Sequence, residues 1–182
     1  EPAQRRLAGG MARTFQIPRP FPDLSLLENM LIARQSQTGE RLWANFTAPR
    51  RIAAEERAAR EKALGLLDLV ALRRLADDPA RVRSGGQRKL LELARVMMAD
   101  PQVILLDEPT EGLQPSMIAL IRDVVVTLKA QGVAVVLVEQ RPDAVLRMAD
   151  RVAFMAQGRV ATVVAAAELT RDSSLFQQFV GV

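Results

Sequence analysis

Two acids stand side by side where an apolar stretch ends. Val103-Ile104-Leu105-Leu106 is wholly apolar and is followed at once by Asp107-Glu108-Pro109. An apolar run this short reads as a buried strand. Strand side chains alternate between faces, so the two carboxylates have different jobs. Asp107 suits a hydrated Mg²⁺, a hard cation that prefers oxygen ligands. Glu108, where the strand ends, is placed to polarise an attacking water. A strand end that only cuts its hydrophobic run with charge accounts for the pair equally well. The second constellation is Ser84-Gly85-Gly86-Gln87. Two glycines at a helix start let backbone N–H groups approach an anion, and the helix dipole favours negative charge there. Taken alone, a capped helix without a ligand is the plainer account of that motif. The chain has no Cys and no His. Disulfides, thiolate zinc sites and thiol catalysis are excluded, and acid–base chemistry falls to carboxylates or Lys.

The elements around these residues alternate in type. Met11 to Phe15 reads as a short strand after a polar, frayed opening that ends in Gly9-Gly10. Pro18, Pro20 and Pro22 forbid regular structure. Ser25-Leu26-Leu27-Glu28 fits a capping box for a helix to about Gln35, and a second helix spans about 51–70. Ser84 and Gln87 frame another capping box, with a helix to about Ala99. After the strand at 103–106, Pro115 sits at a first helical position, and helical spacing runs to Gly132, a C-terminal cap. Val133 to Val138 is a second apolar strand, Pro142 opens a helix, and Gln157-Gly158 reads as a hairpin turn. Strands apolar on both faces, alternating with helices, indicate a parallel sheet covered on both sides. Active sites of such sheets lie at the C-terminal strand ends, here after residues 106 and 138.

The composition is that of a globular chain: 182 residues, 49% hydrophobic and 25% charged. The net charge of +4 hints at phosphate or a membrane surface. Aromatics at 4%, with no Tyr, are too few for a single-strand nucleic-acid groove, which stacks bases on rings. Apolar runs are too short to span a bilayer, and no signal peptide is visible.

In combination the motifs resemble the ABC ATPases. Ser84-Gly85-Gly86-Gln87-Arg88 resembles the family's signature, and Val103 to Asp107 its Walker B strand. Glu108 then stands in the place of the catalytic glutamate, Phe15-Gln16 at the Q-loop, Glu111 to Pro115 at the D-loop and Gln140 at the switch position. The resemblance implies an α/β, P-loop-NTPase-like fold, a parallel sheet covered by helices with a helical subdomain. It divides the chain into the end of the N-terminal ATPase core with the Q-loop (1–16), the helical subdomain (17–80), a region with signature, Walker B, D-loop and switch (81–165) and a C-terminal helix or tail (166–182). ATP and Mg²⁺ are the implied cofactors. Glu108 and Gln140 are the implied catalytic residues, Asp107 and Gln16 serve the metal, and Ser84, Gly85, Gly86 and Gln87 clamp nucleotide. The implied partners are a second ABC ATPase, paired head to tail, and transmembrane permease subunits docked on 17–80. Nucleic acid is not an expected partner. The implied place is peripheral, on the cytoplasmic face of the inner membrane. Ala12-Arg13-Thr14-Phe15-Gln16, Leu27-Glu28-Asn29 and Val138-Glu139-Gln140 resemble the ATPases of bacterial branched-chain amino-acid importers, a pattern urea importers share.

The sequence also departs from that family. No Gly-x-x-x-x-Gly-Lys-Ser/Thr occurs in it. The family's P-loop and its strand belong upstream of Gln16, so the expectation is a chain shortened at its N-terminus. Such a chain offers its signature in trans without holding its own ATP. The alternative is a catalytically silent, partner-binding remnant. Arg83 stands where the family has Leu, Gln140 where it has His, and Gln114 at a usually small or acidic D-loop position. Arg83 is expected to be solvated or to disturb the approach of nucleotide. A sheet without its N-terminal strands is expected to be marginally stable, with Val133 to Val138 prone to aggregate.

Overall fold

The computed structural model describes residues 3–14, 18–35, 43 and 48–181. Its elements are α1 (Ala3–Ala8), β1 (Met11–Arg13), α2 (Leu26–Ile32), α3 (Pro49–Leu69), α4 (Gly85–Met97), β2 (Val103–Asp107), α5 (Pro115–Ala130), β3 (Ala134–Val138), α6 (Pro142–Met148), β4 (Arg151–Ala156), β5 (Arg159–Ala165) and α7 (Ser174–Phe179). Three strands form a parallel sheet in the order β1-β2-β3. Val103 pairs with Met11 on one side and Ala134 on the other, and Asp107 pairs with Val138. The sheet's functional end is therefore where Asp107 and Val138 leave it together.

Parallel strands need crossovers, and helices supply them. α5 fills the crossover from β2 to β3. Pro115 occupies its first turn and Gly132, at φ 81°, turns the chain into β3. Its buried face is Ile121, Val124, Val125 and Leu128. These meet Ile104 and Leu106 of β2 and the apolar stripe of α4, whose Leu90, Leu91, Leu93, Ala94 and Met97 are buried. α2 and α3 pack on the same core, with Leu26, Met30, Ala63 and Leu67 all fully enclosed. Alanines at 59 and 63 put no bulk on the buried face of α3.

Asn29 is a polar residue at the centre of this apolar packing and is fully buried. Its side chain accepts the Phe21 N–H at 2.8 Å and donates to the carbonyls of Phe21, Leu24 and Ser25. The proline-rich stretch before α2 has few donors of its own, and Asn29 supplies the bonds that hold it.

The opening residues differ from the expectation. Ala3–Ala8 is a helix rather than a frayed segment. Ala, Gln, Arg and Leu are all good helix formers, and Arg5 and Arg6 lie in the last turn, where the dipole favours cations. Gly10, at φ 81°, ends the turn and lends its carbonyl to the N–H groups of Gln102 and Val103. β1 stops at Arg13, although Thr14 still donates to the Leu105 carbonyl. The two capping boxes form as expected at Ser25 and Ser84. The expected cover on both faces does not hold: among the described residues Ile104 and Leu106 are buried on one face of the sheet, while on the other Val103 and Leu105 are half-buried and Ala134, Val136 and Val138 are exposed.

β4 and β5 form the expected antiparallel hairpin, with Gln157 and Gly158 both at positive φ in the turn. That pair of angles matches the twist of adjacent strands. A small separate cluster holds the hairpin: Phe154 meets the rings of Phe176 and Phe179, each at 5.4 Å between centroids.

Candidate active site

Asp107 closes the β2 ladder with its carboxylate half-buried. Arg13 of β1 lies level with Leu105, two residues earlier on the same face of the sheet. It reaches the Asp107 Oδ2 at 2.8 Å, with its own side chain 59% exposed. So exposed a pair is worth less than about 1 kcal/mol. Among the described residues no cluster of three metal-ligating side chains exists. A single strand-end carboxylate suits Mg²⁺, which keeps several waters and shares phosphate oxygens, rather than a cation needing an all-protein cage.

Glu108 departs from the strand geometry. Its φ is 44°, in the left-handed region that non-glycine residues rarely adopt. Its N–H still donates to the Val138 carbonyl at 2.9 Å, while its own carbonyl accepts the Glu111 N–H. The bend directs its carboxylate toward the end of β3, where Gln140 Nε2 donates to Oε1 at 2.6 Å. The two acids thus face different partners, Asp107 toward β1 and Glu108 toward the loop after β3. Asp107, Glu108 and Gln140 are brought together at one sheet end. Gln16 and Phe15 lie outside the described residues.

Three further residues shape this end. Thr110 is fully buried, and its hydroxyl donates to Glu139 Oε1. The second oxygen of Glu139 is enclosed without a hydrogen-bond partner. Burial pushes the Glu139 carboxyl above its ordinary value and the Glu108 charge adds to that, while the Thr110 bonds and Arg141 oppose it. Lys89, from α4, donates to the carbonyls of Glu111 at 2.7 Å and Glu108 at 3.2 Å. Sequence reasoning missed Arg13, Lys89, Thr110 and Glu139. Only the register of β1 on β2 and the packing of α4 reveal them.

Ser84, Gly85, Gly86 and Gln87 stand elsewhere, at the N-terminus of α4. Ser84 Oγ accepts the Gln87 N–H at 3.2 Å, and Gln87 Oε1 accepts the Ser84 N–H at 3.1 Å. Gln87 is thereby engaged in its own cap. The Ser84 hydroxyl keeps its proton to donate. A side chain at Gly86 would overlap the Met117 sulfur, so α4 lies hard against the first turn of α5. Gly85 and Gly86 open onto a cavity of about 540 Å³, lined also by Arg19, Arg81, Arg88 and Lys89. Four cations against the one carboxylate of Glu111, around two glycines, leave the lining net positive, which suits an anionic ligand. Asp107, Glu108 and Gln140 are not part of that lining. Arg83 is neither solvated nor aimed at the cavity lining: its side chain is 11% exposed and pairs with Asp78 at 3.1 Å. Gln114 is the N-cap of α5 and makes no side-chain capping bond.

The ABC transporter family model matches residues 2–111, more than half of the chain. The chain belongs to the ABC transporter family. Its fold is the α/β, P-loop-NTPase-like cassette. A probable branched-chain amino acid transport ATP-binding protein, LivG, from Archaeoglobus fulgidus is 41% identical over 151 residues, 83% of this chain and 58% of that protein. A phosphate import ATP-binding protein, PstB, from Pyrobaculum aerophilum is 38% identical over 82% of this chain and 56% of its own length. A solved ATP-binding cassette of an ABC transporter in its ADP conformation aligns with the whole of this chain and 72% of its own, with a TM-score of 0.75 at 27% identity. The cassette here thus spans less than two thirds of the length of these two curated relatives. Among its described residues no helix is long and apolar enough to cross a membrane.

Proposed function

We propose that this cassette is part of the ATP-binding and ATP-hydrolysing subunit of an ABC importer, and that the importer carries branched-chain amino acids. The observation that supports it best is the Glu108–Gln140 hydrogen bond beside Asp107 at one sheet end. That places a carboxylate, an amide donor and a cation-seeking carboxylate within one small site. The 41% identity to the LivG relative, together with the motif resemblance, supports that cargo.

Bound Mg-ATP supplies the phosphoryl group and a charge-neutralising metal. Hydrolysis then rests on positioning and electrostatics rather than covalent steps. Glu108 accepts a hydrogen bond from the attacking water and orients it. Gln140, now on Glu108, donates toward developing charge but cannot become a cation. Asp107 would offer its oxygens to the hydration shell of a bound Mg²⁺, in competition with its ion pair to Arg13. Gln16 is assigned to metal and water by its motif. Ser84, Gly85 and Gly86, with the cap made by Gln87, close on the nucleotide of a second cassette paired head to tail. Residues 17–80 form the helical subdomain that docks on the permease. The subunit then sits peripherally at the cytoplasmic face of the inner membrane.

A second reading, a partner-binding module that does not hydrolyse ATP, is favoured by one observation: Arg13 already holds the Asp107 carboxylate. One experiment separates the two. The chain is mixed with a P-loop-bearing ABC cassette in Mg-ATP, and association and phosphate release are measured. The first reading expects ATP-dependent association and turnover. Glu108→Gln should keep the association and lower by about 100-fold or more only the turnover at this chain's own nucleotide, leaving that at the partner's nucleotide unchanged. Association without any turnover attributable to Glu108 would select the second reading, and no ATP-dependent association at all would sink the first.

A further inference from the structure

We infer that Lys89 is a positioning residue that ties the helix bearing Ser84–Gln87 to the turn bearing Glu108, so that a ligand at the first is felt at the second. Under the proposed function, on which this rests, those two places serve different nucleotides. Ser84, Gly85 and Gly86 face the partner's nucleotide, and Glu108 faces this chain's own site. The cavity lining takes in Glu111, Gly112 and Leu113, at and past the far end of the turn, but not Asp107, Glu108 or Gln140. The two regions need a physical link, and Lys89 is one.

Its geometry is specific. Lys89 belongs to α4, five positions after the Ser84 cap, and it also lines the cationic cavity. Its ammonium donates to the carbonyls of Glu108 and Glu111, the two ends of the turn closed by the Glu111 N–H on Glu108. Those carbonyls converge because Glu108 is left-handed, at φ 44°. A non-glycine residue holds that conformation only where its surroundings impose it, and a cation bound to its own carbonyl is such an imposition. A second contact acts in parallel: Gly86 lies against Met117 and Leu113, so the N-terminus of α4 abuts the segment just past the turn. A shift of α4 when an anion binds its N–H groups therefore moves the turn by way of Lys89 and Gly86 together. The direct consequence is a change in where the Glu108 carboxylate points relative to Gln140.

Amide hydrogen exchange on the full chain reads this without any turnover. The probes are the N–H groups of Glu111 and Leu113, bonded to the carbonyls of Glu108 and Thr110. Lys89→Met should speed their exchange by about tenfold or more, and leave the amides shared by β2 and β3 unchanged. Lys89→Arg should restore slow exchange, because a guanidinium can also reach two carbonyls. Acceleration spread evenly over the chain, or none at the turn, would overturn the tether. A second arm adds Mg-ATP and a P-loop-bearing ABC cassette. The wild-type turn amides should then slow, and those of Lys89→Met should not respond. A response of equal size in Lys89→Met overturns the coupling. If wild type associates with the second cassette but its turn amides do not respond, the coupling is overturned; if it does not associate while Lys89→Met still loosens the turn, the functional reading has failed and the tether stands.

Discussion

Glu139 is a carboxyl enclosed on one oxygen and bonded to Thr110 on the other. Burial raises its pKa in the folded chain above the ordinary value of 4.5. In the window between the unfolded and the folded pKa the native state therefore binds more protons than the unfolded one. Stability then falls as pH rises from about 4.5 through the folded pKa and is level above it. Glu28 works in the opposite sense. Its backbone and side-chain bonds to Ser25 lower its pKa, so the stability it contributes is present above the ordinary value and lost as pH falls through the folded one. Glu139→Gln removes the first titration and keeps an acceptor for Thr110. The expected outcome is a melting temperature that gains on wild type as pH rises from about 4.5 toward neutrality, with the difference vanishing at and below about 4.5. Thermal scans of both proteins across that range check it. A difference independent of pH would mean that Glu139 does not carry the proton. The motif at 138–140 was legible as a switch, yet the work of Glu139 was not, because its partner stands 29 positions away on another loop. Arg13 was hidden in the same way, 94 positions from Asp107.

Element by element, patterns local to the chain were readable and tertiary contacts were not. Ser25 with Glu28, Ser84 with Gln87, Pro115, Gly132 and Gln157-Gly158 all act within a few residues of themselves, and each was legible. Asn29 was visible only as part of a motif. Its side chain holds three carbonyls and one N–H of the segment before α2, which no periodicity reports. Asn29→Ala removes the partner of the Phe21 N–H and carbonyl, while the Leu24 and Ser25 carbonyls keep the backbone N–H groups of residues 80 and 29, and it should cost about 1–3 kcal/mol in chemical denaturation. A loss below about 1 kcal/mol would show that water reaches them. A second device repeats between helices. Met98-Ala99-Asp100 follows α4, and Met148-Ala149-Asp150 begins on the last residue of α6. In each, a lysine from another helix, Lys62 or Lys129, donates to the methionine carbonyl and the aspartate. Asp100 is 84% exposed, so the carbonyl bond carries most of the benefit. Lys62→Met should therefore cost about 1 kcal/mol, whereas Asp100→Asn should be close to neutral, since Asn tolerates its φ of 48°. Equal losses in the two variants would assign the contact to the ion pair instead.

Across the whole molecule the buried mass lies to one side of the sheet. Ile104 and Leu106 are enclosed by α4 and α5, while Val136 and Val138 on β3 are 50% and 55% exposed. A sequence pattern cannot separate these cases. Val-Ile-Leu-Leu and Val-Val-Leu-Val are equally apolar, and what differs is what packs against them. An apolar strand face open to solvent is a site of edge pairing and aggregation. Val136→Thr tests whether that face is open in solution, because Thr matches Val in shape and adds a hydroxyl. At an exposed position the change should move stability by no more than about 0.5 kcal/mol and reduce light scattering on heating. At a covered position the hydroxyl would lose its water without gaining a partner, and the cost should exceed about 1 kcal/mol. Unfolding measured at two protein concentrations completes the argument. A cost that appears only at the higher concentration would mean that copies of the chain cover the strand for one another.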